Sequence, residues 1–346
     1  MYVRAIADEA AARGDRVLLA VPDETKSSRE FALNLAGYSD RTIAIPPKFD
    51  IREVERVSRE VRADRVIVSH VDPYLPMLAL RGYRGSGVLS ALIMRDPRLE
   101  AARTLPRRLR RTAKILMCEL AALRLGESLL WMRPWGYRGT RPYVVDPFFA
   151  DGTIPDIDEC SRALRVELQL TANRFWFVVT GAITDRKNPA LILEAAARVA
   201  ARDSSRPIGL ALIGPLRLSS DASLGDHIGV AEASGLELRI HDRLLSNLEM
   251  NVVVRSADAI VMGYDTPYPN STLVKARALG VRLVVAGPQP LQEFAKSLGY
   301  ERVCPLDLDQ LVDAMIAVQD DRAPEPDLSI ASPRDFACGF FAGERL

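Results

Sequence analysis

The sequence predicts an α/β protein of two domains, each built on a mostly parallel sheet, and three observations carry that prediction. Short β-branched, apolar runs alternate with helical patterns throughout. The 346 residues exceed one ordinary core and suit two domains of about 150 residues each. Pro142 to Pro155, punctuated by Gly and Pro, reads as the linker. The expected domains are residues 1–150 and 151–325, with 326–346 as a tail or crossing helix.

Met1 to Arg13 reads as a helix that feeds the strand RVLLAV, with no strand and glycine turn before it. A doubly wound domain normally opens with such a strand near the centre of its sheet. Either Arg16 to Val21 is the first strand, or an upstream segment is missing from this chain. The strands that follow are Arg41 to Ile45, Arg65 to Ser69, Val88 to Met94 and Ser128 to Met132. Between them, Asp50 to Val61 is the clearest helix, with an Asp cap and Val54, Val57 and Val61 on one face. The glycines of GYRGSG at 82 to 87 lack the dinucleotide-fingerprint context and read as a loop.

The second half repeats this grammar. Phe175 to Thr180, Ile208 to Ile213, Leu236 to Ile240, Ala259 to Met262 and Arg282 to Ala286 are strands, and Leu245 to Val254 and Thr272 to Leu279 are helices. The most informative stretch is FVVTGAITDRKNPALILEAAARVA, from Phe177 to Ala200. A β-branched run ends at Gly181, which tolerates a tight turn, and Asn188 can cap a helix whose first position is Pro189. Arg186 and Lys187 are left at the rim of the loop. A cation just before a helix N-terminus can join backbone N–H groups in holding phosphate, although a solvated pair of charges has the same local pattern.

Composition excludes several functions. A net charge of +1 gives no global argument for nucleic acid, and the three histidines do not cluster. Cys118, Cys160, Cys304 and Cys338 are scattered, without a CxxC or paired His for zinc, which fits a reducing cytoplasm. No apolar run reaches the roughly 18 residues of a membrane span. DID at 156 to 158 and DLD at 307 to 309 suggest metal ligands only superficially; Asp307 and Asp309 precede a helix and suit capping, so no metal is assigned. Trp131, Trp135 and Trp176 lie in or beside apolar strands and suit core or cleft lining. One local bias stands out. From Arg95 to Lys114 the chain is strongly basic, which suits either a solvated helix face or contact with an anionic membrane surface or a phosphorylated acceptor.

In order, the Gly181 to Lys187 turn, GLALIGP at 209 to 215, ELRIHDRLLSNLEMNVVVRSADAIVMGY and NSTLVKARALGVRLVVAG from Asn270 to Gly287 resemble the nucleotide-binding domain of GT-B-fold glycosyltransferases. The resemblance is greatest to glycosyltransferase family 4. AIADEAAARGDRVLLAVP and RADRVIVSHVD resemble that family's first domain more weakly. It implies two Rossmann-like domains facing a cleft, and sugar transfer from a nucleotide-sugar donor, with retention and without an obligatory metal or other cofactor. The acceptor would be a glycan, a lipid-linked molecule or a small molecule, and the location cytoplasmic or peripheral at the inner face of the membrane.

By the resemblance Lys187 would pair with the donor diphosphate. The family's usual arginine falls at Ala182, and Arg186 would supply that charge from a shifted position. His70, at the end of its strand and followed by Asp72, falls where the family has a histidine near the sugar; a locally hydrogen-bonded histidine is the alternative. The family's two glutamates, separated by seven residues, fall at Pro267 and Lys275, so its usual ribose contact is lost and Asp265 would compensate in part. Asn270, Ser271 and Thr272 begin a helix whose N–H groups can hold phosphate, with Lys275 one turn inside adding positive charge. A sugar-nucleotide epimerase of similar fold and a non-catalytic GT-B-fold interaction partner are the other readings.

Overall fold

The computed structural model describes residues 2–47, 49–100, 104–133, 139–150, 157–202, 206–219, 222–268, 270–330 and 332–341. The chain begins α1 (Tyr2–Ala12), β1 (Leu19–Pro22), α2 (Asp23–Lys26), α3 (Arg29–Leu35), β2 (Thr42–Ile45), α4 (Ile51–Glu60) and β3 (Arg65–Val68). It continues α5 (Leu75–Arg81), β4 (Val88–Ile93), α6 (Leu105–Leu125), β5 (Leu129–Arg133) and β6 (Tyr143–Val145). Then come α7 (Ile157–Glu167), β7 (Phe175–Thr180), β8 (Ile183–Thr184), α8 (Pro189–Arg202), β9 (Ile208–Ile213), β10 (Leu216–Arg217) and α9 (Ala222–Ala233). Last are β11 (Glu237–His241), α10 (Asn247–Ser256), β12 (Ala259–Gly263), α11 (Ser271–Ala278), β13 (Arg282–Ala286), α12 (Gln289–Ser297), β14 (Val303–Cys304), α13 (Leu308–Ala317) and α14 (Pro333–Cys338). Residues 1–147 with 331–346 form one unit, and 148–330 the other.

In the first unit all strand pairs are parallel, but they fall into two sheets, β1-β2 and β3-β4-β5-β6. The first described strand, Leu19–Pro22, starts three residues later than the sequence pattern suggests and pairs only with β2 among the described residues. Tyr143–Val145 adds a strand beside β5 where the sequence read as linker. The core gathers Ile51, Leu78, Leu89, Ile93, Cys118, Leu129 and Trp131. Asp50 caps α4 as its sequence implies, accepting from the Arg52 and Glu53 amides. The buried face of that helix differs from the expected valine row. Val61 is exposed, whereas Glu55 is buried because its carboxylate accepts from Arg81 Nη2 and the Arg84 amide, both at 2.8 Å. The last helix belongs to this unit. Phe336 stacks on Tyr2 with ring centroids 5.1 Å apart, and the Phe340 carbonyl accepts from Arg65 Nη1 and Ser90 Oγ at 2.9 and 3.0 Å.

The second unit holds a six-stranded parallel sheet in the order β11-β9-β7-β12-β13-β14. Counted along this unit, that is the 3-2-1-4-5-6 order of a doubly wound domain. The strands β7, β9 and β12 are apolar runs buried almost throughout, as a parallel sheet covered on both faces requires. Gly209 in β9 makes room for the Trp176 ring of β7, since a Cβ there would stand 2.4 Å from Cζ3. Trp176 is fully buried and donates from Nε1 to the Thr171 carbonyl at 3.0 Å, so this tryptophan is core. Trp131 is core in the first unit, while Trp135 lies outside the described residues. A capping box between Ser246 and Glu249 starts α10, and Asp307 starts α13 by accepting from the Gln310 amide.

Candidate functional site

The strand order reverses direction between β7 and β12, and in doubly wound sheets ligands bind beyond the carboxyl ends of the strands at such a switch point. At the end of β7, Gly181 turns the chain at φ +78°, a conformation that a residue with a Cβ adopts with strain. Gly214, after β9, sits against it: a Cβ there would lie 2.5 Å from the Gly181 carbonyl oxygen. The two-residue strands β8 and β10 then pair in parallel and hold the turn above the sheet. Asp185–Lys187 form a single 3-10 turn that leads into α8.

Asn188 does not cap α8 with its side chain. It adopts the left-handed conformation at φ +46° and donates from Nδ2 to the Gly263 carbonyl at 2.8 Å, tying the turn to the end of β12. The Asp265 amide donates to the Arg186 carbonyl at 3.2 Å and makes a second tie. Lys187 is thereby carried inward rather than left at the rim, and is only 4% exposed. Its ammonium donates to the Thr180 carbonyl, faces the Tyr264 ring at 5.8 Å, and stands 3.2 Å from where a Gly181 Cβ would be. Burial holds its pKa down to about 7, and the neighbouring Arg186 charge pushes the same way. Arg186 is exposed, with its guanidinium 5.3 Å from the same ring.

Tyr264 joins this turn to α11. It is buried, its pKa is raised by that burial, and the nearby Asn270 and Thr272 side chains and the Arg186 charge act the other way. The site thus brings together Gly181, Arg186, Lys187, Asp265, Asn270 and Thr272, with Ser271 at the first position of α11. Asn270 Oδ1 accepts from the Thr272 amide at 2.8 Å, so this helix end offers a phosphate one donor fewer than its sequence implies.

Lys275 faces α10. It is 5% exposed, donates from Nζ to Asn247 Oδ1 at 2.6 Å and Asn251 Oδ1 at 2.5 Å, and lies 5.6 Å from the Phe148 ring. Both asparagines also donate to the Phe149 carbonyl, at 2.9 and 2.7 Å. This cation therefore braces α10 and the start of the unit. Sequence reasoning passed over Tyr264, Asn247 and Asn251. The visible signals were an aromatic directly after a strand and two asparagines four residues apart on one helix.

His70 is in the first unit, beyond the end of β3, with Nε2 3.4 Å from Asp72 Oδ2. Asp72 in turn accepts from the Met94 and Arg95 amides at 3.0 and 3.2 Å, which fixes the loop ends of β3 and β4 together. The remaining acidic signals are engaged otherwise. Asp158 accepts from Arg255 Nε at 2.7 Å and Asp309 from Arg198 Nη1 at 3.0 Å, while Asp156 lies outside the described residues.

No protein-family model and no curated protein matches the chain. Solved structures do, along nearly its whole length. Alr3699/HepE of Anabaena, solved in complex with UDP and glucose, is similar at 15% identity and a TM-score of 0.66, over 98% of this chain and 93% of that one. WaaG, a glycosyltransferase involved in lipopolysaccharide biosynthesis, is similar at 14% identity and a TM-score of 0.57, over 99% of this chain and 91% of that one. A putative UDP-N-acetylglucosamine 2-epimerase from Listeria monocytogenes shares the architecture at 10% identity and a TM-score of 0.54, over 98% of this chain and 90% of that one. The fold of this chain is therefore the GT-B fold.

Proposed function

We propose that this protein is a glycosyltransferase that binds a nucleotide-sugar donor where β7 and β12 end. The observation that carries the reading is Lys187, a buried ammonium with no carboxylate partner among the described residues, at a glycine turn on the switch point of a doubly wound sheet. Burying a cation is costly unless something repays it, and a diphosphate would. In the transition state Lys187 and Arg186 neutralise charge developing on the leaving diphosphate, aided by the amides at the start of α11. The Asp265 carboxylate takes the ribose hydroxyls in place of the glutamate. Transfer proceeds with retention and without a metal, to a glycan, a lipid-linked molecule or a small-molecule acceptor, and four free cysteines suit a cytoplasmic location.

Titration calorimetry with UDP and UDP-glucose tests this, together with an assay for released UDP. Saturable binding with release of UDP in the presence of an acceptor is the expected result. Absence of binding at millimolar concentration overturns it. Lys275, a brace where the resemblance implies a glutamate, favours a second reading, a non-catalytic GT-B protein. Binding without turnover across donors and acceptors would establish that reading, and acceptor-independent inversion at C2 of the sugar would establish an epimerase.

Binding should also depend on pH. With Lys187 near 7 in the free protein and UDP fully ionised above that, binding must draw a proton onto the lysine. Affinity is expected to fall as pH rises from about 7 to 9, by up to about tenfold per unit. Calorimetry in two buffers of different ionisation enthalpy should show proton uptake at the upper end.

A further inference from the structure

The basic stretch singled out in the sequence lies mostly on α6, and the structure adds what its charges alone do not show. Leu105, Leu109, Leu116 and Leu123 are 69%, 64%, 53% and 83% exposed. At about 100° per residue they fall within about 40° of one another, a single stripe along the helix. The residues α6 buries, Cys118 and Ala121, lie on the opposite side. The helix is anchored by that side, and Arg124 Nε and Nη2 reach the carbonyls of Ala79 and Leu80 at 2.8 and 3.0 Å. Near its start, Arg111 Nε and Nη2 reach the carbonyls of Pro97 and Arg98 at 3.0 and 2.9 Å. The leucine stripe is thus held rigidly outward.

Its charge identifies what covers it. The helix carries Arg107, Arg108, Arg110, Arg111, Lys114 and Arg124 against Glu119 alone. A second copy of this chain would set one cationic helix against another. Among the described residues no helix is long and apolar enough to cross a bilayer. An exposed leucine row on a cationic helix matches a helix lying in the interface plane, with leucines at the acyl boundary and the exposed Arg107, Arg108 and Arg110 on its other faces, attracted to the phosphate headgroups across the width of the helix. We propose that α6 docks the protein on an anionic lipid surface, with Leu105, Leu109, Leu116 and Leu123 as the inserted face. This docking stands apart from donor binding.

The test is co-sedimentation of the full chain with vesicles of phosphatidylcholine alone and of phosphatidylcholine mixed with phosphatidylglycerol. Binding to the mixed vesicles only, weakened by salt, is expected. The double variant Leu109→Asp/Leu116→Asp should bind at least about tenfold more weakly while keeping its circular dichroism, melting temperature and UDP affinity, because both side chains are exposed. Arg107→Gln/Arg110→Gln should reduce binding and its salt dependence together. No binding, equal binding to both vesicle types, or binding unchanged in the leucine variant overturns the proposal. So does a dimer of the parent chain that the leucine variant abolishes, which would make a second copy the occupant.

Discussion

Lys187→Met is expected to abolish donor binding while leaving the fold at least as stable as before. Loss of one cation at the leaving diphosphate should lower kcat/KM by roughly 100- to 1000-fold, about 3–4 kcal/mol. The stability effect has the opposite sign. The folded protein holds this ammonium at about 7, below its unfolded value near 10.4, so folding favours the neutral form and the charge opposes folding. Methionine has similar length and no charge, and is expected to raise stability by roughly 1–3 kcal/mol near neutral pH. As pH rises from 7 towards 10, the unfolded lysine also loses its proton and that gain should vanish. Urea unfolding at several pH values, beside UDP titration, checks both halves. A variant that loses stability and binding together would make Lys187 a structural residue.

Gly209→Ala is expected to cost roughly 2–3 kcal/mol without touching any candidate site residue. The new methyl would stand 2.4, 2.5 and 2.7 Å from three Trp176 ring atoms, in a sheet interior where both residues are buried. The ring cannot turn away freely, because its Nε1 donates to Thr171 and the Trp176 amide donates to Asp258 Oδ2 at 2.8 Å. Trp176→Leu alone opens a cavity and should also destabilise by a few kcal/mol, roughly 2–4. Combined, the methyl fills part of that space, so the double variant should be less destabilised than the sum by about 1 kcal/mol or more. Chemical denaturation of the four proteins gives the coupling directly, and strict additivity would mean that β9 moves instead of the ring.

Much of the second unit was legible because its signals are local. The strand Phe175–Thr180 occupies the residues its apolar run marks, and Gly181 turns with positive φ where a glycine ends a strand before a cation. Asn188 was misread for an equally local reason. Asparagine before Pro189 looks like a cap, but asparagine also tolerates the left-handed conformation, and here its amide is needed by Gly263 across the switch point. The charges of α6 were visible, whereas periodicity alone does not say which of its apolar residues face outward. Only packing against α5 shows that Cys118 and Ala121 take the buried side.

The sequence by itself determined the alternation of strands and helices, the glycine turn after Thr180 and the presence of a lysine there, since periodicity and backbone freedom act within a few residues. Tertiary structure alone decided that β7 lies between β9 and β12, and that Lys187 turns inward beside Tyr264. It also decided that Lys275 braces Asn247 and Asn251. The reason is physical. Parallel neighbours come from segments far apart in the chain, and the direction of a long cationic side chain depends on which oxygen atoms those neighbours present.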